Sequence, residues 1–188
     1  MLLIERSSNI ETLVENTTEG KQMFIEGCFM QADVKNRNGR IYPKSVMEKA
    51  LDDYVRDYVN ERRAIGELNH PEDRAQADPK HAAILIESLS WNGNDIIGKA
   101  RVLNTPNGQI VKGLLEGGWK AGVSSRATGS VTKKENANIV GSDLKLYAVD
   151  VVDGPSAPDA FVKTLYESHQ NFNKYLVEYI MSLNLRGE

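Results

Sequence analysis

The run Ala82–Val102, AAILIESLSW-NGND-IIGKARV, decides the fold class. Two apolar-rich runs flank an Asn92-Gly93 pair, and Asn-Gly supplies the positive φ values that a tight turn between antiparallel strands requires. The stretch is therefore predicted to be a β-hairpin. On its N-terminal side, MFIEGCFMQADV (Met23–Val34) has strand-like content interrupted by Gly27, as at a bulge, and NRNGR (Asn36–Arg40) reads as a turn. Pro43 suits the first turn of a helix. The pairs Val46/Met47, Ala50/Leu51, Tyr54/Val55 and Tyr58/Val59 then draw one apolar stripe, so an amphipathic helix is expected to about Asn60.

On the C-terminal side, Asn107 is expected to cap a short helix carrying Ile110, Val111, Leu114 and Leu115, stopped by Gly117-Gly118. AGVSSRATGSVT (Ala121–Thr132) is small and β-prone, and LKLYAVDVV (Leu144–Val152) reads as a strand. GPSAPDA (Gly154–Ala160) is a rigid loop, followed by a largely helical tail. Short strands dominate with two or three helices around them, which is α+β, without the βαβ alternation of a nucleotide-binding fold. Residues 1–21 are polar and without sustained periodicity, and are expected to be a flexible N-terminal extension. The organisation predicted is extension 1–21, main domain 22–165, and a partly helical tail 166–188.

Composition narrows the function classes. A chain of 188 residues suffices for one sizeable domain, burying roughly 70% of its unfolded surface without disulfide or metal. The net charge of −3 argues against a dedicated nucleic-acid binder. No run is long and apolar enough to be a membrane span or a signal peptide. One cysteine, Cys28, and three histidines leave no intrachain disulfide and no zinc-type ligand cluster, so no metal or cofactor is expected.

With so few histidines, a base of that type must be His70, His81 or His169. His169 lies in the polar tail and His81 reads as a strand-edge residue. His70, in GELNHPE, sits in a loop between helix and hairpin and is restrained by Pro71. It reads either as a structural loop histidine or as a catalytic base. Ser124 and Ser125 stand among small neighbours that let a substrate backbone approach, although a Ser/Gly-rich strand and turn has the same composition. Side-chain alternation would put Leu144, Leu146, Ala148, Asp150 and Val152 on one face, with Asp150 its single charge. A carboxylate aimed at a core needs a partner. A histidine is one such partner, and a cap or turn contact is another. Asp153 faces the other way with Lys145, where a surface ion pair suffices.

In this setting FIEGCFMQADVKNRNGRIYP, AIGELNHPE, DPKHAAILIESLSWNGNDIIGKARV, AGVSSRATGS and AVDVVDGPSAPDA, in that order over about residues 22–162, resemble the prohead (capsid maturation) proteases of contractile-tailed bacteriophages. The resemblance implies a serine peptidase with the β-barrel-like core and surrounding helices of herpesvirus assemblin. Carried over by motif, His70 of LNHPE matches the family histidine and Ser124 of VSSR the nucleophile. Asp150 occupies the strand of the third member, where assemblin itself uses a second histidine. By the same analogy the backbone of Gly154–Ser156 is nominated for the oxyanion. Ser125 is a further candidate there, and Arg126 would steady this loop, meet a substrate carboxylate, or form a structural salt bridge.

The resemblance further implies cleavage after glutamate, in Leu/Ile-x-Glu motifs, of phage scaffold and major capsid proteins inside the immature capsid in the host cytoplasm. It also implies self-association. Self-cleavage candidates are Glu5, Glu15, Glu167 and Glu178. The alternative is a catalytically silent scaffold-core protein of the same fold.

Overall fold

The computed structural model describes residues 2–7, 10–17, 20–36, 38–71 and 73–153. In chain order the elements are β1 (Leu2–Ser7), β2 (Ile10–Thr17), β3 (Gly20–Gln31), β4 (Arg40–Ile41), α1 (Lys44–Tyr54) and β5 (Ile65–Glu67). There follow β6 (Ala82–Asn92), β7 (Asp95–Val102), α2 (Pro106–Glu116), β8 (Gly122–Thr128), β9 (Val131–Lys133), β10 (Asn138–Val140) and β11 (Lys145–Val152). The described architecture is mixed, mostly strands with two α-helices.

The hairpin forms where its turn chemistry puts it. β6 and β7 pair antiparallel across Asn92↔Asp95, with Gly93 at φ 64°. They lie inside a five-stranded sheet of order β2-β3-β7-β6-β5. Gly27 marks a real irregularity, since the β3–β7 register shifts just beyond it, between Cys28 and Met30. A second sheet runs β1-β8-β11, and a small third one β4-β10-β9. Among the described residues these sheets do not close into a barrel.

The long helix follows its apolar stripe. Met47, Ala50, Leu51 and Tyr54 are buried, and the helix continues past Tyr54 as a single π-turn, Val55–Val59. Burying a side chain of this size stabilises by about 1.5–3 kcal/mol before entropy is charged. α2 departs from expectation at its start. Thr105 is the cap, its hydroxyl accepting from Gly108 N–H, because Pro106 fills the first helical position. Asn107 instead donates to the His81 carbonyl. Val111 and Leu115 face the core, while Ile110 and Leu114 are exposed.

Two further differences bear on the site. The first concerns residues 2–7 and 10–17, expected to be loosely held. β1 pairs along β8 from Leu2↔Thr128 to Ser7↔Val123, and β2 along β3 from Ile10↔Gly27 to Thr17↔Gly20. A strand supported by neighbours needs little alternation of its own, which is why the pattern was silent. The second concerns β11, whose register shifts between Leu146 and Ala148. The shift puts Leu146 opposite Ala127 and Ala148 opposite Arg126, so these two do not share a face. Asp150 is therefore not the one charge on an apolar face; the residues across from and beside it are Ser124 and Arg126.

Beside β5 the two larger sheets are tied together through the backbone. Leu68, just after β5, forms a parallel bridge with Val151 of β11, and Asn69 N–H donates to the Val151 carbonyl at 2.7 Å. Gly66 makes this approach feasible, since a Cβ there would lie 1.9 Å from the Val149 carbonyl oxygen.

Candidate active site

β8 is the central strand of its sheet, and it carries Ser124 directly opposite Asp150. Cross-strand partners share a face, as do residues two apart on one strand. Ser124, Arg126 and Asp150 therefore lie together, all at 0% exposure. A buried arginine and a buried aspartate are tolerable only as partners. Arg126 Nε stands 2.6 Å from Asp150 Oδ2, an ion pair angled away from a directed hydrogen bond, and Nη2 donates to Oδ1 at 2.9 Å. Oδ1 also accepts from the Glu67 backbone N–H at 2.8 Å.

The charge network then runs into the loop that carries His70. Arg126 Nη2 reaches Glu67 Oε1 at 3.1 Å, and Nη1 donates to the carbonyls of Gln76 (3.1 Å) and Arg74 (3.4 Å). Glu67, 2% exposed, accepts from the Asp78 N–H at 2.7 Å and from Arg74 Nη2 at 2.6 Å. Two arginines and two carboxylates thus balance in one buried cluster. Burial drives the Asp150 carboxyl up from its usual 3.8 to about 6, against the pull of Arg126 and of the Glu67 amide. The Tyr54 phenol, also buried, is pushed up by desolvation and then by Asp150.

His70 is half-buried, on the stretch that follows Asn69, whose φ of 60° turns the chain away from β11. Ser124 Oγ makes no hydrogen bond among the described residues, so His70 is not bonded to it in this conformation. For Asp150 the sequence leaves a histidine or a cap contact open as partner; in the structure its partners are Arg126 and the Glu67 amide. The reason is geometric, because Arg126 sits on the same face and reaches both carboxylate oxygens. Arg126 has spent its donors inside the protein, which leaves none for a substrate carboxylate. Asp153 is exposed and accepts from Trp119 Nε1 at 3.2 Å. His81 is exposed at the end of a 3-10 turn, Pro79–His81. Gly154, Ser156, Glu167, His169 and Glu178 lie outside the described residues. Glu5 and Glu15 are placed in β1 and β2.

Sequence reasoning passed over Glu67, Arg74 and Tyr54. Glu67 carried a usable signal: like Asp150 in AVDVV, it is a lone acidic residue inside a short apolar run, AIGEL. No group of three or more metal-ligating side chains gathers among the described residues. No described helix is long and apolar enough to cross a membrane.

Residues 5–170 match the family model described as the prohead core protein serine protease. The chain belongs to that family. It is 51% identical over 144 residues to the prohead core protein protease of Enterobacteria phage T4, covering 74% of this chain and 68% of that protein. The solved structure of the bacteriophage T4 capsid assembly protease superposes with a TM-score of 0.78 at 42% identity, over 81% of this chain and 98% of that one. The fold described above is thus that of a prohead core protease, a protein of phage capsid assembly. The family match spans the Ser124 strand, the His70 loop and the network that joins them.

Proposed function

We propose that this prohead protease is a serine endopeptidase in which Ser124 Oγ is the nucleophile and His70 the general base. The observation that carries the reading is the tie between the two elements. The Glu67–Arg126–Asp150 cluster bonds the loop bearing His70 to the strand bearing Ser124. Ser124 Oγ attacks the scissile carbonyl while its proton passes to His70, and the leaving amine takes that proton as the acyl-enzyme forms. Water, deprotonated by His70, then releases the acid and restores the serine. Asp150, placed in the triad by the resemblance, supports the imidazole through the Arg126–Glu67 network rather than by touching it.

The backbone of Gly154–Ser156 is the proposed oxyanion site, where loss of one donor costs about 100- to 1,000-fold in turnover. Ser125 is a weaker candidate. On a strand paired along both edges the N–H groups are spent on the neighbours, so its N–H is available only once a ladder is vacated.

Substrates proposed from the resemblance are scaffold and major capsid proteins, cut after glutamate inside the immature capsid in the host cytoplasm, by a self-associating enzyme whose β core is kin to assemblin. Two features support that core: the bridge joining β5 to β11, and β1 lying beside β3. The domain proper is proposed to be 22–165 between removable ends.

Self-cleavage after Glu5 is supported by register. Glu5 and Arg6 lie opposite Ser125 and Ser124, so the Glu5–Arg6 peptide bond is one strand away from the nucleophile's own backbone. With Ser124 wholly buried, this conformation is read as the precursor, and cleavage would release β1 from β8. The rival reading, a catalytically silent core protein, draws on the same burial.

Hydrolysis of a glutamate-containing peptide separates the two. Ser124→Ala and His70→Ala should each lower it by about 10⁴-fold with the fold intact, and His81→Ala by no more than a few-fold. Equal activity of Ser124→Ala and wild type would refute the assignment. Intact-mass spectra of aged wild type beside Ser124→Ala test self-cleavage, and identical masses under conditions where the peptide is cut would end it.

A further inference from the structure

We infer that Glu67 is a positioning residue for His70, acting through Arg126, Arg74 and the Asp78 amide to hold the loop between Leu68 and Asp78 in one geometry. The inference rests on the reading of His70 as the base, and it assigns work to a residue that touches neither nucleophile nor substrate.

Glu67 ends β5, and its side chain reaches the far end of the loop it begins. Oε1 accepts from Asp78 N–H at 2.7 Å, closing an eleven-residue loop on itself, and Oε2 accepts from Arg74 Nη2 within that loop at 2.6 Å. Arg126 supplies the second set of fixings, holding the Arg74 and Gln76 carbonyls and bonding Glu67 Oε1. At the near end the Glu67 amide is fixed to Asp150 and the Asn69 amide to Val151. His70 is the first residue after that near anchor, and Glu67 and Arg126 hold its loop further on, at Arg74, Gln76 and Asp78. A loop of this length, left to itself, samples many conformations. A displacement of about 1 Å in a base costs of order 100-fold in rate.

Burial makes the carboxylate hard to replace. Arg126 is wholly buried and Glu67 nearly so, so the neutral amide of Glu67→Gln keeps the size and one acceptor but leaves Arg126 with Asp150 as its one carboxylate and Arg74 with only the exposed Asp73 at 4.0 Å. Charge-assisted bonds are about twice as strong as neutral ones. The amide therefore holds Arg74 and the loop less tightly while the β-sheets stay paired.

The test compares wild type, Glu67→Gln and the milder Arg74→Met by amide hydrogen exchange, by the ring resonances of His70, and by separate kcat and KM on a glutamate-containing peptide. The expected result is exchange faster by about tenfold or more at amides within 68–78, with β6 and β7 unchanged. A shifted or broadened His70 ring signal and a kcat lowered tenfold or more, at a KM within threefold, should accompany it. Unchanged loop exchange and an unchanged His70 signal in the folded variants would overturn the inference. So would a fall in kcat matched by uniformly faster exchange across the sheets, the mark of a merely structural role. If Glu67→Gln does not fold, Arg74→Met decides by the same readouts. Inactive wild type would remove the proposed function, whereas the exchange and ring-signal arms judge the loop independently of it.

Discussion

Gly66→Ala is the most exacting perturbation of this fold, because one methyl group would separate the elements carrying His70 and Ser124. A Cβ at Gly66 meets the Val149 carbonyl oxygen at 1.9 Å, the Ile84 Cγ1 at 2.8 Å and the Val149 carbonyl carbon at 3.0 Å. A carbon and a carbonyl oxygen approach to about 3.3 Å, so β5 and β11 must part by about 1.4 Å. The obstacle is backbone, which cannot rotate aside. The cost therefore lies at or above the upper end of ordinary overpacking, about 3 kcal/mol, or a Tm lower by roughly 6–12 °C for a chain of this size. Parting the strands also strains the Asn69–Val151 bond and the Glu67–Asp150 bond, which anchor the chain just before His70. Peptidase activity of the folded fraction should fall about 100-fold. Thermal denaturation with steady-state hydrolysis reads both effects. A variant within about 2 °C of wild type and fully active would refute the close approach of β5 to β11, and with it the bridge between sheets.

The other predictions are briefer. Gly113→Ala, at an exposed position inside α2 where a Cβ meets nothing within 4 Å, should stabilise by about 0.5–1 kcal/mol; a loss measured by urea unfolding would contradict the helix. Arg126→Met leaves Asp150 and Glu67 buried without their shared cation and should cost about 3–5 kcal/mol, where an unchanged urea midpoint would deny the buried cluster. For Asp150 the sign follows from its raised carboxyl: the native state holds this proton more tightly than the unfolded chain. Its contribution to stability is therefore greatest at acid pH and is lost as pH rises through about 6. The stability of wild type minus that of Asp150→Asn should fall by up to about 3 kcal/mol between pH 4 and pH 7, and a pH-independent difference would refute the shift.

How much of this was legible beforehand follows from what each element depends on. The β6–β7 hairpin and α1 rest on local chemistry, the Asn92-Gly93 pair and an apolar stripe, and both stand where the pattern put them. β1 rests on a partner far along the chain, Val123–Thr128, and β2 pairs with the adjacent Gly20–Gly27 although its polar composition shows no strand pattern. The buried acid at Asp150 was legible as a carboxylate needing a partner. Its partner was not, because one register shift at Leu146/Ala148 decides which residues of β11 share the face of Arg126. Glu67 was missed for a related reason. Its importance comes from reaching Asp78 across a closed loop, and spacing in sequence does not reveal closure.

The central claim is that Ser124 is the nucleophile, and covalent labelling tests it most directly. Protein competent to cut a glutamate-containing peptide is treated with a glutamyl phosphonate ester, which exchanges one leaving group for a serine oxygen. The adduct is then located by peptide mass spectrometry. The account predicts a single adduct on the peptide carrying Ser124, lost in Ser124→Ala and strongly slowed in His70→Ala. Labelling at a different serine while hydrolysis is blocked, or labelling that persists unchanged in Ser124→Ala, would contradict it.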